Sequence, residues 1–305
     1  MKEITQEDIA HLSQTSSRIT YVDKVEDLST DSLVSLTQYA DAYVLEVRCG
    51  KIDLIKLFLS DDVKLIHSKF ENYAHTLHEK RNPFSDNGMS KSELKELAKQ
   101  LGNPAGEYGT QIGTMMNETN VSMIRKTFEF FAPKDNDCIL ELGHGNAHHL
   151  KELYGLASNL RYTGLDISKL MKKEAEAYCK ESGLQATSTF HLYDGITIPL
   201  ETNSFDKIFT VNTLYFWTDP MKLMGELYRV LKPNGLLSVT FVHEETMNQM
   251  PFTEYGFTKY DDVKFKNLLV DYPFHSVELN LQSEFIKSEF FGQIERKFFV
   301  ASLVK

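Results

Sequence analysis

After Asp137 the chain alternates short apolar runs with helical stretches, and this alternation constrains the fold more than any other feature. Cys138–Leu142 (CILEL) precedes a helix with Leu150, Leu153, Tyr154 and Ala157 facing inward. Arg161–Ile167 precedes a second helix, from Ser168 to about Ser182. Thr187–Leu192 and Asp206–Val211 are a third and a fourth strand. A helix from Pro220 to Leu231 then buries Leu223, Met224, Leu227, Val230 and Leu231, with its proline at the favoured first position. The PNG turn, Pro233–Gly235, leads into a fifth strand, Leu236–Val242. Strand–helix alternation of this kind predicts an α/β fold built on a doubly wound, mostly parallel sheet. His275–Leu281 and Arg296–Val304 carry no helical signature between them and are candidates to pair antiparallel. That arrangement gives a mixed sheet with a reversed last strand.

The first hundred-odd residues read differently, as an N-terminal helical region. Leu36, Ala40, Tyr43, Val44 and Val47 recur at a helical period that stops near Gly50. Val63, Ile66, Phe70, Tyr73 and Leu77 follow the cap formers Ser60 and Asp61. Leu94, Leu97 and Leu101 follow Ser90 and Glu93, which have capping-box spacing. Turn formers at Arg81–Gly88 mark a linker, and a fourth helix spans about Asn120–Phe131 before Pro133. The organisation expected is a helical region over residues 1–110 and an α/β domain over 111–305.

The strongest chemical signal is ELGHGN, Glu141 to Asn146, directly between a strand and a helix. Gly143 and Gly145 let the backbone turn tightly and approach a ligand, because no Cβ intervenes. Asp166 ends the second strand, 25 residues after Glu141, about where a dinucleotide-binding fold places the carboxylate that takes ribose hydroxyls. Asp194, with Gly195, follows the third strand on the same edge. Three acid-bearing strand ends make a negatively lined pocket. It suits a cationic sulfonium nucleoside better than a pyrophosphate, which calls for positive charge.

The order ELGHGN, YTGLDI, YDG, FDKIFTVNTLYFW and LYRVLKPNG resembles class I S-adenosylmethionine-dependent methyltransferases with a Rossmann-like core, from about Asp137 to Lys305. The resemblance implies S-adenosylmethionine as cofactor. It implies that Glu141, Gly143 and Gly145 border the methionine part, and that Asp166 holds the ribose hydroxyls. By the same resemblance Ile167 packs on adenine, Asp194 accepts from its amino group, and Asn212 lies in the loop after the fourth strand. The chain departs from the family pattern at Ala147, which replaces a third motif glycine, and in the crowding of His144, His148 and His149 into one turn.

Two side chains are candidates for catalysis. Tyr215 belongs to the aromatic run Tyr215–Trp217, where the family often shapes its substrate pocket. His243, after the fifth strand, is placed as a general base for a hydroxyl or amine acceptor. Residues 243–258 carry methionines and aromatics suited to a flap. His75 and His78, with His67 further back, share a helical face but lack a fourth donor, and no metal is expected. A net charge of −10 disfavours nucleic acid as a partner and favours a small-molecule acceptor. A macromolecular methyltransferase and a non-catalytic binder of the cofactor are the alternatives. A nicotinamide-dependent oxidoreductase is more distant, because its turn requires glycine where His148 stands. No apolar run reaches about 20 residues, the opening MKEITQEDIAHL has no apolar core of a leader, and the three cysteines show no CxxC. A cytoplasmic protein with no membrane span is expected, with a homodimer through the N-terminal helices as a further expectation.

Overall fold

The computed structural model describes residues 2–3, 19–27, 32–39, 42–49, 54–61, 64, 66–67, 69–70, 89–288 and 292–305. They form two compact units, residues 1–94 with 287–292 and residues 95–286 with 293–305.

The first unit holds a five-stranded antiparallel sheet in the order β1-β5-β4-β3-β2. Its strands are β1 (Lys2–Glu3), β2 (Ile19–Asp27), β3 (Ser32–Tyr39), β4 (Ala42–Cys49) and β5 (Leu54–Ser60). This corrects the helical reading of Leu33–Val47. Leu36 lies opposite Leu45 and Val44 opposite Leu59, so residues read as one helical face belong to two different strands and pair with residues outside that set. The Val, Leu, Thr and Tyr content of the segment suits a pleated surface, and tertiary pairing overrides a short 3.6-residue pattern. Residues 64, 66, 67, 69 and 70 are helical, as the second periodic stretch predicts. Tyr73, His75, Leu77, His78 and the expected linker at 81–88 lie outside the described residues. The predicted capping box is present: Ser90 N donates to Glu93 Oε2 at 2.7 Å, and Glu93 N to Ser90 Oγ at 3.3 Å, at the start of the helix Lys91–Gly102.

The second unit carries a seven-stranded sheet in the order β11-β12-β10-β9-β6-β7-β8. Its strands are β6 (Cys138–Leu142), β7 (Arg161–Asp166), β8 (Ser188–Leu192), β9 (Phe205–Val211), β10 (Leu231–Val242), β11 (Ser276–Ser288) and β12 (Gly292–Val304). β6 through β10 run parallel, and β12 pairs antiparallel with β10 from Leu236↔Val304 to Val242↔Phe298. The chain therefore builds β6, β7 and β8 outward, then returns to place β9 on the other flank of β6. That reversal is the switch point where open α/β sheets bind ligands. β12 is inserted between β10 and β11, and Lys305 closes it. Its N–H donates to Gly235 O at 3.1 Å and its Nζ to Leu231 O at 2.7 Å.

The fourth predicted helix is longer than its apolar pattern shows, running Gly106–Phe131 as one element across the expected boundary at residue 110. Its first half carries Gly109 and Gly113, where the helix Lys169–Glu181 comes close. A Cβ on Gly109 would lie 2.9 Å from Leu170 Cδ2, and one on Gly113 would lie 3.0 Å from Met171 Cε. The helix stops at Ala132 (φ 41°), whose N–H donates to Phe128 O, and Pro133 follows. Lys207 of β9 reaches the same end, donating to Phe131 O and, at 2.7 Å, to Ala132 O. A cation there complements the helix dipole.

Below the site the helix packs Phe128 and Phe131 edge-on to Phe209 of β9, at ring separations of 5.5 and 5.2 Å. Phe209 is fully buried, so Phe209→Ala is expected to cost about 3–5 kcal/mol. Urea unfolding checks this; a loss of unfolding free energy of less than a third of that would mean that the layer is loosely packed.

Candidate functional site

A cavity of about 430 Å³ opens at the carboxyl ends of β6, β7, β8 and β9. The seven residues that the resemblance assigns to the cofactor line it, together with Gly195: Glu141, Gly143 and Gly145 at the end of β6 and its loop, Asp166 and Ile167 at the end of β7, Asp194 and Gly195 after β8, and Asn212 after β9.

Asp166 is the centre of the site. It is buried, with Oδ2 accepting from Gly145 N at 3.0 Å and Oδ1 from Ser168 N at 2.8 Å. Burial pushes its carboxyl above the usual range, while His144 and the two backbone donors pull the other way. Each oxygen keeps a lone pair for a further donor. Ser168 then caps the helix Lys169–Glu181, its Oγ accepting from Met171 N and donating to Pro104 O at 2.6 Å. Pro104 thereby becomes part of the cavity wall, with Gly102 and Asn103 beside it.

Gly143 (φ 75°) and Gly145 (φ 54°) adopt left-handed backbone as their motif predicts, and they do so for different reasons. A Cβ on Gly143 would lie 2.3 Å from Thr213 Cγ2, whereas one on Gly145 meets nothing within 4 Å. Gly145 therefore leaves open space where a ligand can approach the backbone. Ala147, at the third motif position, is also left-handed (φ 62°) and its methyl is fully buried. That fit explains how a small residue serves where the family has glycine.

His144 is turned inward. Its Nδ1 lies 2.6 Å from Gly145 O, so Nδ1 carries the proton, and its ring packs edge-on to Phe190 at 4.9 Å. Burial holds the imidazole below its ordinary pKa, more strongly than the Asp166 and Glu141 carboxylates raise it. His148 stacks on Tyr178 at 4.2 Å, outside the cofactor cavity. His149 reaches Glu141 Oε2 with Nε2 at 2.7 Å, and the same oxygen accepts from Tyr162 OH.

Ile167 presents an apolar side chain, 37% exposed, on the cavity wall beside Asp194. Asp194 is itself exposed and closes a turn, Oδ1 accepting from Ile196 N and Thr197 N at 2.8 and 2.6 Å. Those backbone donors hold its carboxyl below the usual range.

Neither catalytic candidate reaches the wall. Tyr215 is buried, donating to Asn212 Oδ1 at 2.9 Å and accepting from Val242 N. Asn212 in turn donates to Asn120 Oδ1 at 2.9 Å. Tyr215 therefore ties β9 to β10 behind the site, while its neighbours Phe216 and Trp217 form the wall. His243 caps the short helix Glu244–Met247, Nδ1 accepting from Glu245 N at 3.1 Å, with its ring 5.5 Å from Phe299. Met116, Asn117 and Asn120 of the helix Gly106–Phe131 complete the lining. Their spacing in the sequence carries no chemical signature that would mark them as lining.

Among the described residues no group of His, Cys, Asp and Glu is arranged to hold a metal ion, and no helix is long and apolar enough to cross a membrane.

Residues 140–239 match a family model described as a methyltransferase domain. The chain is 28% identical to the uncharacterized methyltransferase YdaC of Bacillus subtilis over 44% of this chain and 71% of that protein. It is also 28% identical to (S)-coclaurine N-methyltransferase of Papaver somniferum, over 46% of this chain and 39% of the enzyme. Of further curated relatives it spans less than two fifths of the length. A chain from the complex of the Haloferax volcanii Trm112 methyltransferase activator with a methyltransferase shares the fold, with a TM-score of 0.52, 18% identity and coverage of 63% of this chain and 92% of that one. Residues 140–239 of the second unit are thus similar to a methyltransferase domain, and the unit shares the fold of the solved methyltransferase complex chain.

Two outcomes follow from the geometry. Gly143→Ala is expected to destabilise the protein and abolish ligand binding, while Gly145→Ala keeps the fold within about 1–2 kcal/mol, the left-handed cost alone. Thermal unfolding of both variants checks this, and equal losses would contradict the distinction. For His144, the unfolded state takes up a proton near pH 6.5 that the buried ring resists. Its stabilising contribution is thus present above about pH 6.5 and is lost as pH falls below it, with a slope approaching about 1.4 kcal/mol per pH unit. Urea unfolding between pH 7.5 and 5 should show the wild type losing more stability than His144→Gln; parallel profiles would rule the effect out.

Proposed function

We propose that this chain transfers the methyl group of S-adenosylmethionine to a small-molecule acceptor by in-line displacement at carbon. The observation that carries the reading is the convergence in one cavity of buried Asp166, the open cradle at Gly145 and the apolar Ile167 beside Asp194. These residues fit the cofactor's parts. Two carboxylate lone pairs suit a ribose diol, an isoleucine beside an acid suits adenine and its amino group, and a glycine amide without a Cβ neighbour admits close approach. The absence of a lysine or arginine from the wall fits a cation better than a diphosphate.

The bound cofactor supplies an electrophilic methyl on a sulfonium. The chain's own residues hold, orient and exclude water. Asp166 fixes the ribose, and Glu141 faces the amino-acid end. Phe216 and Trp217 present aromatic surface at the β9 end of the cavity, Trp217 being fixed by its Nε1–H donating to Thr213 Oγ1 at 3.1 Å. Holding donor and acceptor in line is worth about 7–11 kcal/mol of barrier. The amide and aromatic character of the wall near Asn117, Asn120 and Phe216, the acidic chain, and relatives named for small acceptors such as coclaurine all support a small-molecule substrate.

Calorimetric titration with S-adenosylmethionine, S-adenosylhomocysteine and NAD tests the cofactor. The first two should bind and NAD should not. Asp166→Ala should weaken binding by about 100-fold or more, since it removes two hydrogen bonds to a charged group. No binding of either nucleoside, or an unaffected variant, would remove the basis of the proposal.

A further inference from the structure

Glu141 ends β6 with its side chain 4% exposed, yet it lines the cavity. Its two oxygens are in different situations. Oε2 accepts from Tyr162 OH of β7 and from His149 Nε2 at 2.7 Å. No described residue donates to Oε1, and Oε1 is not a fully buried orphan either. It is therefore the oxygen that reaches the cavity.

The two donors are well fixed. Tyr162 is fully buried, and burial together with the Glu141 charge pushes its phenol well above the ordinary value. It stays protonated and remains a donor at any working pH. His149 directly precedes the helix Leu150–Tyr154, and its ring is wedged against Phe128 and Phe209 at 6.3 and 6.2 Å. Three elements thus converge on one carboxylate, and a carboxylate with one oxygen doubly engaged cannot rotate freely.

We propose that Tyr162 and His149 are positioning residues: they clamp Glu141 Oε2 so that Oε1 presents a fixed acceptor to the α-ammonium of the cofactor's amino-acid end. This rests on the cofactor reading above. The clamp leaves the nucleoside end to Asp166, Ile167 and Asp194, so the cavity reads its ligand in two independent halves.

The test uses two ligands that differ only in the amino-acid part. S-adenosylhomocysteine carries it and 5′-methylthioadenosine lacks it. Binding of each is measured by calorimetry, with ligand-observed NMR at millimolar concentration for the weaker one. His149→Leu and Tyr162→Phe are each expected to weaken S-adenosylhomocysteine about tenfold, the worth of one charge-assisted hydrogen bond, and to leave 5′-methylthioadenosine unchanged. His149→Gln, which keeps a donor, should recover part of the loss. Parallel losses for both ligands would show a merely structural role and overturn the inference, as would unchanged affinity for S-adenosylhomocysteine. Failure of the unsubstituted chain to bind S-adenosylhomocysteine would instead remove the cofactor reading and this inference with it.

Discussion

The site depends on one buried carboxylate that accepts backbone hydrogen bonds from two loops at once. Asp166 joins the glycine turn after β6 to the start of the helix Lys169–Glu181, through Gly145 N and Ser168 N. Ser168 carries the connection to Pro104 in front of the long helix. Gly143 N donates to Leu165 O at 2.7 Å beside it, so the same stretch of β7 fixes the turn from two sides. The protein's own hydrogen bonds thus shape the loops around the cavity. The cost is a carboxylate that burial makes harder to ionise, offset by those donors and by the neighbouring imidazole.

The second unit was legible in the sequence because its strands are short apolar runs bounded by turn formers, and those at β6, β7 and β9 lead on to helical stretches. β6 through β9 lie where the runs predict, while β10 starts at Leu231, taking in the expected PNG turn with an irregularity before Leu236; the carboxylates at 141, 166 and 194 emerge on one edge because parallel strands all point their carboxyl ends the same way. The reversed β12 was readable from what was missing, a helix between His275 and Arg296. The first unit was misread for a definite reason. Leu36, Tyr43, Val44 and Val47 satisfy a helical spacing and a strand alternation about equally over so short a span. Only pairing partners such as Leu45 and Leu59 distinguish the two, and no local pattern contains them.

Within the site, what the sequence concealed was the direction of side chains. Tyr215 and His243 stand at the right strand ends, but one turns behind the wall and the other caps a helix. Phe216 and Trp217, next to Tyr215, line the cavity instead because the chain after β9 makes a 3₁₀ turn, Leu214–Phe216, which rotates successive residues by about a third of a revolution. The histidine cluster divides similarly. One ring lies inside against Phe190, one is stacked outside on Tyr178, and one is aimed at Glu141. Three histidines within six residues acquire three different environments because a tight turn spreads its side chains apart.

The position of β12 bears on how the chain assembles as it is synthesised. The strands that carry the cofactor loops are complete once Val242 has been made, yet β10 then exposes an unpaired edge. β11 emerges next but is not its neighbour in the finished sheet, and only β12 joins the two. A wrong β10–β11 pairing therefore has a window of opportunity from the end of β11 at Ser288 to the end of β12 at Val304, roughly 1–3 seconds of elongation at ordinary rates. The contacts of Lys305 at Gly235 and Leu231 then tie the far end of β12 back to the start of β10.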